Sequence, residues 1–379
     1  MLKNAGFAAS SVRLIDYFPN DAGFRLGQQI HLIDNKATDE LNLNHKRYHQ
    51  GRHSCLLNRK TAPPLVIEPG MGSSSPADGS LRRKADIIYT LVNFASPPRS
   101  SNRNNISSVG LFCPFAHRVN LIRHLKGLTE IIDISIVKPY PKGDDKGWPG
   151  WKFPTKEDPY EGSTEDHLFG SKYLHEVYFK DKKDYEGRYS VPVLWDKKNN
   201  QLLNNESLEI LRNFNTGWNS ILSDEYKKMN FYPEHLRKDI DEVGKWMQDD
   251  LNTRVYKAGF APDQATYDRN VVAVFRALNR MEEFLAKSGG PYVLGSELTE
   301  LDLRLFPTLI RFDTVYVQHF KCNLGTIRHD YPLLNEWMKI LYWNVPGFKE
   351  TTDFRHIKEN VSRQCCRYIF AELDINVSD

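Results

Sequence analysis

Hydrophobic and polar positions follow three different rhythms along this chain. Over residues 1–105 no period holds, and Ser, Pro, Gly and Asn gather in linker-like runs at Pro69–Gly79 and Pro97–Asn105. Between them Leu81–Phe94 has the pattern of a short strand or helix. From Ile106 onward, strand-sized apolar runs alternate with helical spacing. Ile106–Phe112 predicts a strand and Pro114–Gly127 a helix carrying Val119, Ile122 and Leu125 on one face. Ile131–Val137 predicts a second strand, completing a βαβ opening. A polar loop rich in Gly and Trp, Tyr140–Gly162, is long enough to suggest a functional role. Asp166–Phe179 predicts a helix, and Val191–Trp195 a buried strand paired with Leu202–Asn204 across the Lys197–Asn200 turn. Ser207–Asn215 predicts another helix, with Leu208, Leu211 and Phe214 on one side. Beyond Gly217 only the 3.6-residue period remains, over Pro233–Leu251, Gln264–Ala286, Asp302–His319 and Tyr331–Tyr342. Thr299 and Asp302 read as a short-chain capping box, with Leu298 and Leu303 placed to staple it. The expected architecture is α/β plus all-α: a small α/β domain followed by a helical one.

Charge and cysteine content narrow the function classes. Lys plus Arg total 51 against 48 Asp plus Glu, a net of +3, which removes the electrostatic case for a dedicated nucleic-acid binder. Apolar runs such as Val271–Phe275 fall far short of a bilayer span, so no membrane partner is expected. Five scattered cysteines do not make a secreted disulfide framework. The first residues lack the apolar core of a secretory signal. Cytoplasm is therefore the expected compartment, with a mitochondrial presequence (Lys3 and Arg13 ahead of the first acid, Asp16) as the alternative. His45, His49 and His53 recur every fourth residue near Cys55 and invite a zinc reading. A solvated basic turn accounts for them better, because Gly51 interrupts the helix and no second ligand pair follows; no metal is expected.

One cysteine carries the chemistry. Cys113-Pro-Phe-Ala-His-Arg sits at the junction of the first predicted strand and helix. There the thiol faces unpaired N–H groups and the positive end of the helix dipole, which favour a thiolate. Pro114 suits the first helical position, and His117 and Arg118 offer further positive charge. Ala116 stands where a Cys-x-x-Cys pair would have its second thiol, so a covalent intermediate has to be resolved by an outside thiol. A buried cysteine at a helix start is the bland alternative. Two further features tip the balance. Val191-Pro192 stands where a thioredoxin-like sheet places a cis-proline, leaving backbone to pair with a peptide-like ligand. Glu206 and Ser207, at a predicted helix start, are placed to hold an ammonium and a carboxylate, although simple N-capping explains them equally well. Taken together, a thiolate, a backbone clamp and a pocket for an amino-acid end describe a glutathione site.

Several motifs then resemble one family closely. They are Cys113-Pro-Phe-Ala-His-Arg, Val191-Pro-Val-Leu-Trp-Asp, Asn204-Asn-Glu-Ser, Val255-Tyr-Lys-Ala-Gly-Phe, Leu298-Thr-Glu-Leu-Asp-Leu-Arg-Leu-Phe and the run Arg311–Asn323. The family is the glutathionyl-hydroquinone reductases, which are xi-class, omega-like glutathione S-transferases. The resemblance implies a divergent, partly disordered extension (1–105), a thioredoxin-like glutathione-binding domain (106–217), an all-helical transferase domain (218–361) and a tail (362–379). It implies glutathione as co-substrate, glutathionylated quinones or hydroquinones as substrates, and a homodimer. Cys113 would attack the sulfur of the conjugate, release the hydroquinone and hold glutathione as a mixed disulfide, which a second glutathione resolves. Tyr256 would exchange the proton of the leaving ring, and Tyr316 would hydrogen-bond near the thiolate and lower its pKa. Trp151, Arg188, Tyr189, Ser190, Val191, Glu206 and Ser207 would bind glutathione.

The departures from the pattern are specific. Phe115 stands where the family usually has Trp, and Val361 replaces a tyrosine expected to tune the thiolate. Asn104–Gly110 is a poor strand, expected to weaken the sheet edge that positions Cys113. Two other readings stay open: an omega-like thiol transferase or dehydroascorbate reductase using the same cysteine, and a non-catalytic binding protein of the same fold. Cys322, Cys365 and Cys366 are expected to be structural or incidental.

Overall fold

In a computed structural model the protein is described over residues 105–140 and 150–361. The His45–Cys55 segment, Leu81–Phe94, the tail with Cys365 and Cys366, and part of the long loop lie outside the described residues.

Four strands form one sheet in the order β2-β1-β3-β4. They are β1 (Asn105–Val109), β2 (Ile132–Ile136), β3 (Val193–Asp196) and β4 (Gln201–Asn204). Strand β1 runs parallel to β2, with Val109 opposite Ile136, and antiparallel to β3, with Ser108 opposite Val193. The serine-rich segment therefore occupies the middle of the sheet and not an edge. Its polarity is compatible with burial because the Ser107 hydroxyl donates to the Val193 carbonyl at 2.9 Å on the neighbouring strand. Helix α1 (Pro114–Leu125) makes the parallel crossover between β1 and β2. Helix α2 (Leu174–Asp181) starts eight residues later than the period suggests. The Asp166 carboxylate accepts from the N–H groups of Leu168, Phe169 and Ser171, an Asx-type turn that outcompetes the helix. Glu176 then accepts from the N–H groups of Lys172 and Tyr173 and fixes the start. Helix α3 (Ser207–Thr216) closes this domain.

The remainder is helical: α4 (Asp224–Lys228), α5 (Arg237–Met247), α6 (Arg254–Gly259), α7 (Gln264–Ser288), α8 (Glu300–Leu309), α9 (Ile327–Asp330) and α10 (Pro332–Asn344), then residues 354–361. Two of the predicted helices are broken. The Pro233–Leu251 pattern yields α5 and then a wide π-type turn, Gln248–Asn252, which leads into α6. The Asp302–His319 pattern yields α8, containing Pro307, and a second π-type turn, Phe312–Tyr316. The capping box holds: Asp302 Oδ2 accepts from the Thr299 N–H at 2.9 Å, while Oδ1 accepts from Val293 N–H and Trp337 Nε1. Among the described residues no helix is long and apolar enough to cross a membrane.

Burial divides unequally. A smaller core under one face of the sheet gathers Val109, Phe112, Ala116, Val137, Phe153, Tyr178, Tyr189 and Trp195. The larger core is continuous across the domain boundary, joining Val119, Ile122 and Leu125 of α1 and Ile210 and Phe214 of α3 to the helical domain. The seam between domains is therefore a packed interior, and α1 is gripped from both sides.

Candidate active site

Cys113 is the N-cap of α1, in extended conformation (φ −80°, ψ 124°), with Pro114 in the first turn. It is half-buried, and its Sγ lies 3.7 Å from the Val191 carbonyl oxygen. The Val191–Pro192 peptide is cis, as the motif anticipates. Burial pushes the thiol above its ordinary value. The N–H groups of Ala116 and Phe115 and the charges of Arg311 and Arg118 oppose that shift without reversing it. The donors expected at the helix start are in place, and desolvation of the sulfur outweighs them.

His117 departs from its expected part. It is buried, and burial followed by the charges of Arg311, His124 and Arg118 holds it well below the usual imidazole value. Its hydrogen bonds fix the neutral tautomer. Arg311 Nη1 donates to Nδ1 at 3.0 Å, so Nε2 carries the proton toward Thr351 Oγ1 at 2.9 Å, and that hydroxyl donates to the Gly347 carbonyl at 2.7 Å. Positive charge comes instead from two buried guanidinium groups. Arg118 lies 4.9 Å from the Phe115 ring and is lowered to about 9, mainly by burial. Its Nε and Nη2 have no hydrogen-bond partner among the described residues. Arg311 was missed as a site residue by sequence reasoning, although it opens the run Arg311–Asn323 that helps define the family.

The two tyrosines meet. Tyr256, on α6, and Tyr316, in the second π-type turn, bring their hydroxyls to 3.5 Å. Tyr316 thus hydrogen-bonds to Tyr256 and not to the sulfur, and both lie within electrostatic range of Cys113. Burial first, then the proximity of Tyr316 and Cys113, raises Tyr256 well above the usual phenol value; burial pushes Tyr316 up to about 12. Phe115 (6.1 Å from the Tyr256 ring), Phe260 and Phe320 complete an aromatic group in which Phe260 is 68% exposed. Val361 packs against the larger core.

The remaining candidates divide by position. Trp151 packs on Phe112 at 4.3 Å, next to the cysteine. Glu206 is the exposed N-cap of α3, accepting from the Leu208 N–H, and the buried Ser207 comes directly after it. Asn205 donates to the Tyr178 hydroxyl, which donates to the Ser190 carbonyl, linking the α3 start to the segment before the cis-proline. Arg188 is exposed. Tyr189 is buried among Tyr178, Phe179 and Tyr185, so its ring packs the core while its backbone runs past the site.

A sheet of this topology, followed by a helical domain that shares its core, is the fold of the glutathione transferases. Comparisons with known proteins agree. Residues 112–216 match the family "Glutathione S-transferase, N-terminal domain", and residues 264–339 match "Glutathione S-transferase, C-terminal domain". The Glutathione S-transferase omega-like 2 of Schizosaccharomyces pombe is 47% identical over 307 residues, covering 80% of this chain and 92% of that protein. The glutathionyl-hydroquinone reductase YqjG of Escherichia coli is 42% identical over 255 residues, covering 67% and 73%. The crystal structure of the xi glutathione transferase ECM4 of Saccharomyces cerevisiae, in complex with glutathione, superposes with a TM-score of 0.65 at 35% identity, covering 70% and 90%. The chain belongs to the glutathione S-transferase family, among its xi-class, omega-like members.

Proposed function

We propose that this protein is a glutathionyl-hydroquinone reductase that uses Cys113 as its nucleophile. The sulfur attacks the sulfur of a bound glutathionyl-hydroquinone. A Cys113–glutathione disulfide forms, the carbon–sulfur bond to the ring breaks, and the ring takes the bonding pair and one proton. A second glutathione, as thiolate, attacks the mixed disulfide, frees Cys113 and leaves as glutathione disulfide. Tyr256 supplies the proton to the ring; a phenol held this far above its usual range stays protonated until the leaving carbon demands it. Tyr316 aligns it through the 3.5 Å hydroxyl contact. Glutathione lies along the Val191 backbone, with its γ-glutamyl end at Glu206 and Ser207 and Trp151 alongside. Arg188, Tyr189 and Ser190 contribute the segment leading to the clamp.

The observation that carries this reading is the convergence of Cys113, the Val191 carbonyl and the Tyr256–Tyr316 pair from four separate parts of the chain. It is supported by the names of the relatives, which include a glutathionyl-hydroquinone reductase and a glutathione-bound xi transferase. The test is mass spectrometry after incubation with a glutathionylated hydroquinone. One glutathione is expected on Cys113, removed by excess free glutathione, and Cys113→Ser is expected to lose both the adduct and turnover. A Cys113→Ser protein with wild-type turnover would sink the proposal. Turnover of dehydroascorbate with none of the conjugate would shift it to the thiol transferase reading.

A further inference from the structure

Arg311, bonded to the turn that ends in Cys113, has no part in the reaction steps proposed for the site. Arg311 lies just beyond α8, is buried, and spends its guanidinium entirely on neutral acceptors. Nε donates to the Phe112 carbonyl at 2.9 Å and Nη2 to the Leu111 carbonyl at 2.8 Å; Nη1 donates to the Pro307 carbonyl at 2.7 Å and to His117 Nδ1 at 3.0 Å. Leu111 and Phe112 form the turn that ends in Cys113, whose own N–H closes back on the Gly110 carbonyl at 2.9 Å. Four of the five guanidinium donors are thereby used, and none meets a carboxylate. A buried cation with no anionic hydrogen-bond partner keeps its field for whatever anion forms beside it. The groups facing Cys113 are Arg118 on its own helix, Arg311 and Tyr316 from the segment after α8, and Tyr256 on α6. Of these, the two guanidiniums are cations, and only Arg311 also grips the backbone that carries the sulfur.

We propose that Arg311 is a positioning residue for the nucleophile: it ties the helical domain to the turn that presents Cys113, and it is the fixed counter-charge toward which the thiolate forms. The His117–Thr351–Gly347 chain orients it. Because His117 can only accept from Arg311, the guanidinium plane is locked with its other donors aimed at the turn. A lysine would keep the charge but could not span two successive carbonyls in one plane.

The inference rests on Cys113 being the nucleophile, yet its test does not use the hydroquinone reaction. Alkylation of Cys113 by iodoacetamide, followed by mass spectrometry across a pH series, reads the thiolate fraction directly. In folded Arg311→Gln the profile is expected to move up by about one pH unit, so the rate at neutral pH falls about tenfold; Arg311→Lys is expected to recover part of it. Should both fail to fold, Thr351→Val removes only the far end of the chain and is expected to shift the profile in the same direction by less. An unmoved profile in folded Arg311→Gln overturns the inference. So does an unmoved profile in Thr351→Val where the arginine variants do not fold. Loss of the Cys113 role itself would show separately, as wild-type turnover in Cys113→Ser.

Discussion

At the scale of single residues, the site is a contest between burial and donors. The sulfur sits where a helix start offers N–H groups, and that much is legible in Cys113-Pro-Phe-Ala. What the sequence does not reveal is the balance at this half-buried thiol, where desolvation raises the pKa by more than the N–H groups and nearby charges lower it. The direction of the pH dependence is thereby set. With its pKa raised above the ordinary 9.0, the thiolate fraction of the ligand-free protein should grow about tenfold per pH unit through the neutral range. Alkylation of Cys113 should therefore climb without a plateau up to about pH 9, and a plateau near neutrality would show that the guanidiniums dominate. Tyr256 carries the opposite logic, since its burial preserves the proton it is proposed to give. Tyr256→Phe should lower the rate of hydroquinone release by about a hundredfold or more, within the range of general-acid effects. Formation of the Cys113 adduct with a disulfide such as glutathione disulfide, whose leaving group is a thiolate, should be nearly unchanged. Equal losses with both reagents would assign Tyr256 to packing.

At the scale of elements, the two tyrosines come together because two helices do not end where their apolar period says they should. Gln248–Asn252 and Phe312–Tyr316 are both π-type turns, and such wide turns are frequent at functional sites because they rotate the residues beyond them about the helix axis. Periodicity saw continuous helices over Pro233–Leu251 and Asp302–His319, since one extra residue per turn hardly disturbs an apolar stripe. It had the right elements and the wrong rotation. The capping box at Thr299 was legible because it is a local pattern; the turns are set by tertiary contacts and were not. One such contact is the Thr308 hydroxyl, which donates to Asn252 Oδ1 at 2.7 Å and joins the end of α8 to the first π-type turn. Asn252→Ala strands that buried hydroxyl and should cost about 1–3 kcal/mol of stability. It should also reduce kcat more than KM, because the residues proposed to bind glutathione lie elsewhere. Thermal melts and steady-state kinetics on the same protein check both halves, and an unchanged kcat would detach the turns from catalysis.

Across the whole molecule, the sequence read the order of the domains correctly but could not show that they share one core. The apolar face of α1 was visible as Val119, Ile122 and Leu125, yet nothing in that spacing says that its partners come from the far domain. The polar part of the seam was hidden for the same reason. Arg212, on α3, makes two parallel bonds of 2.9 Å to the buried Glu300 at the start of α8 and a third to Asp241 on α5. Arg304 reaches Glu300 at 3.2 Å and the Gly244 carbonyl at 2.8 Å, and a Cβ at Gly244 would collide with that guanidinium. One carboxylate thus holds helices from both domains. Removing a partner from a buried pair leaves charge without compensation, a loss of about 3–5 kcal/mol where nothing else is near. Here Arg304 still faces Glu300 and Arg212 is partly solvated, so Arg212→Ala should cost less, about 2 kcal/mol. Because the packed seam remains, the loss should appear as a lower urea midpoint in a single transition and not as two separated ones. Two transitions would show that the ionic joint, more than the shared apolar core, makes the domains unfold together. A midpoint unchanged within the scatter of surface substitutions, about 0.5 kcal/mol, would show that Arg304 alone suffices to hold Glu300.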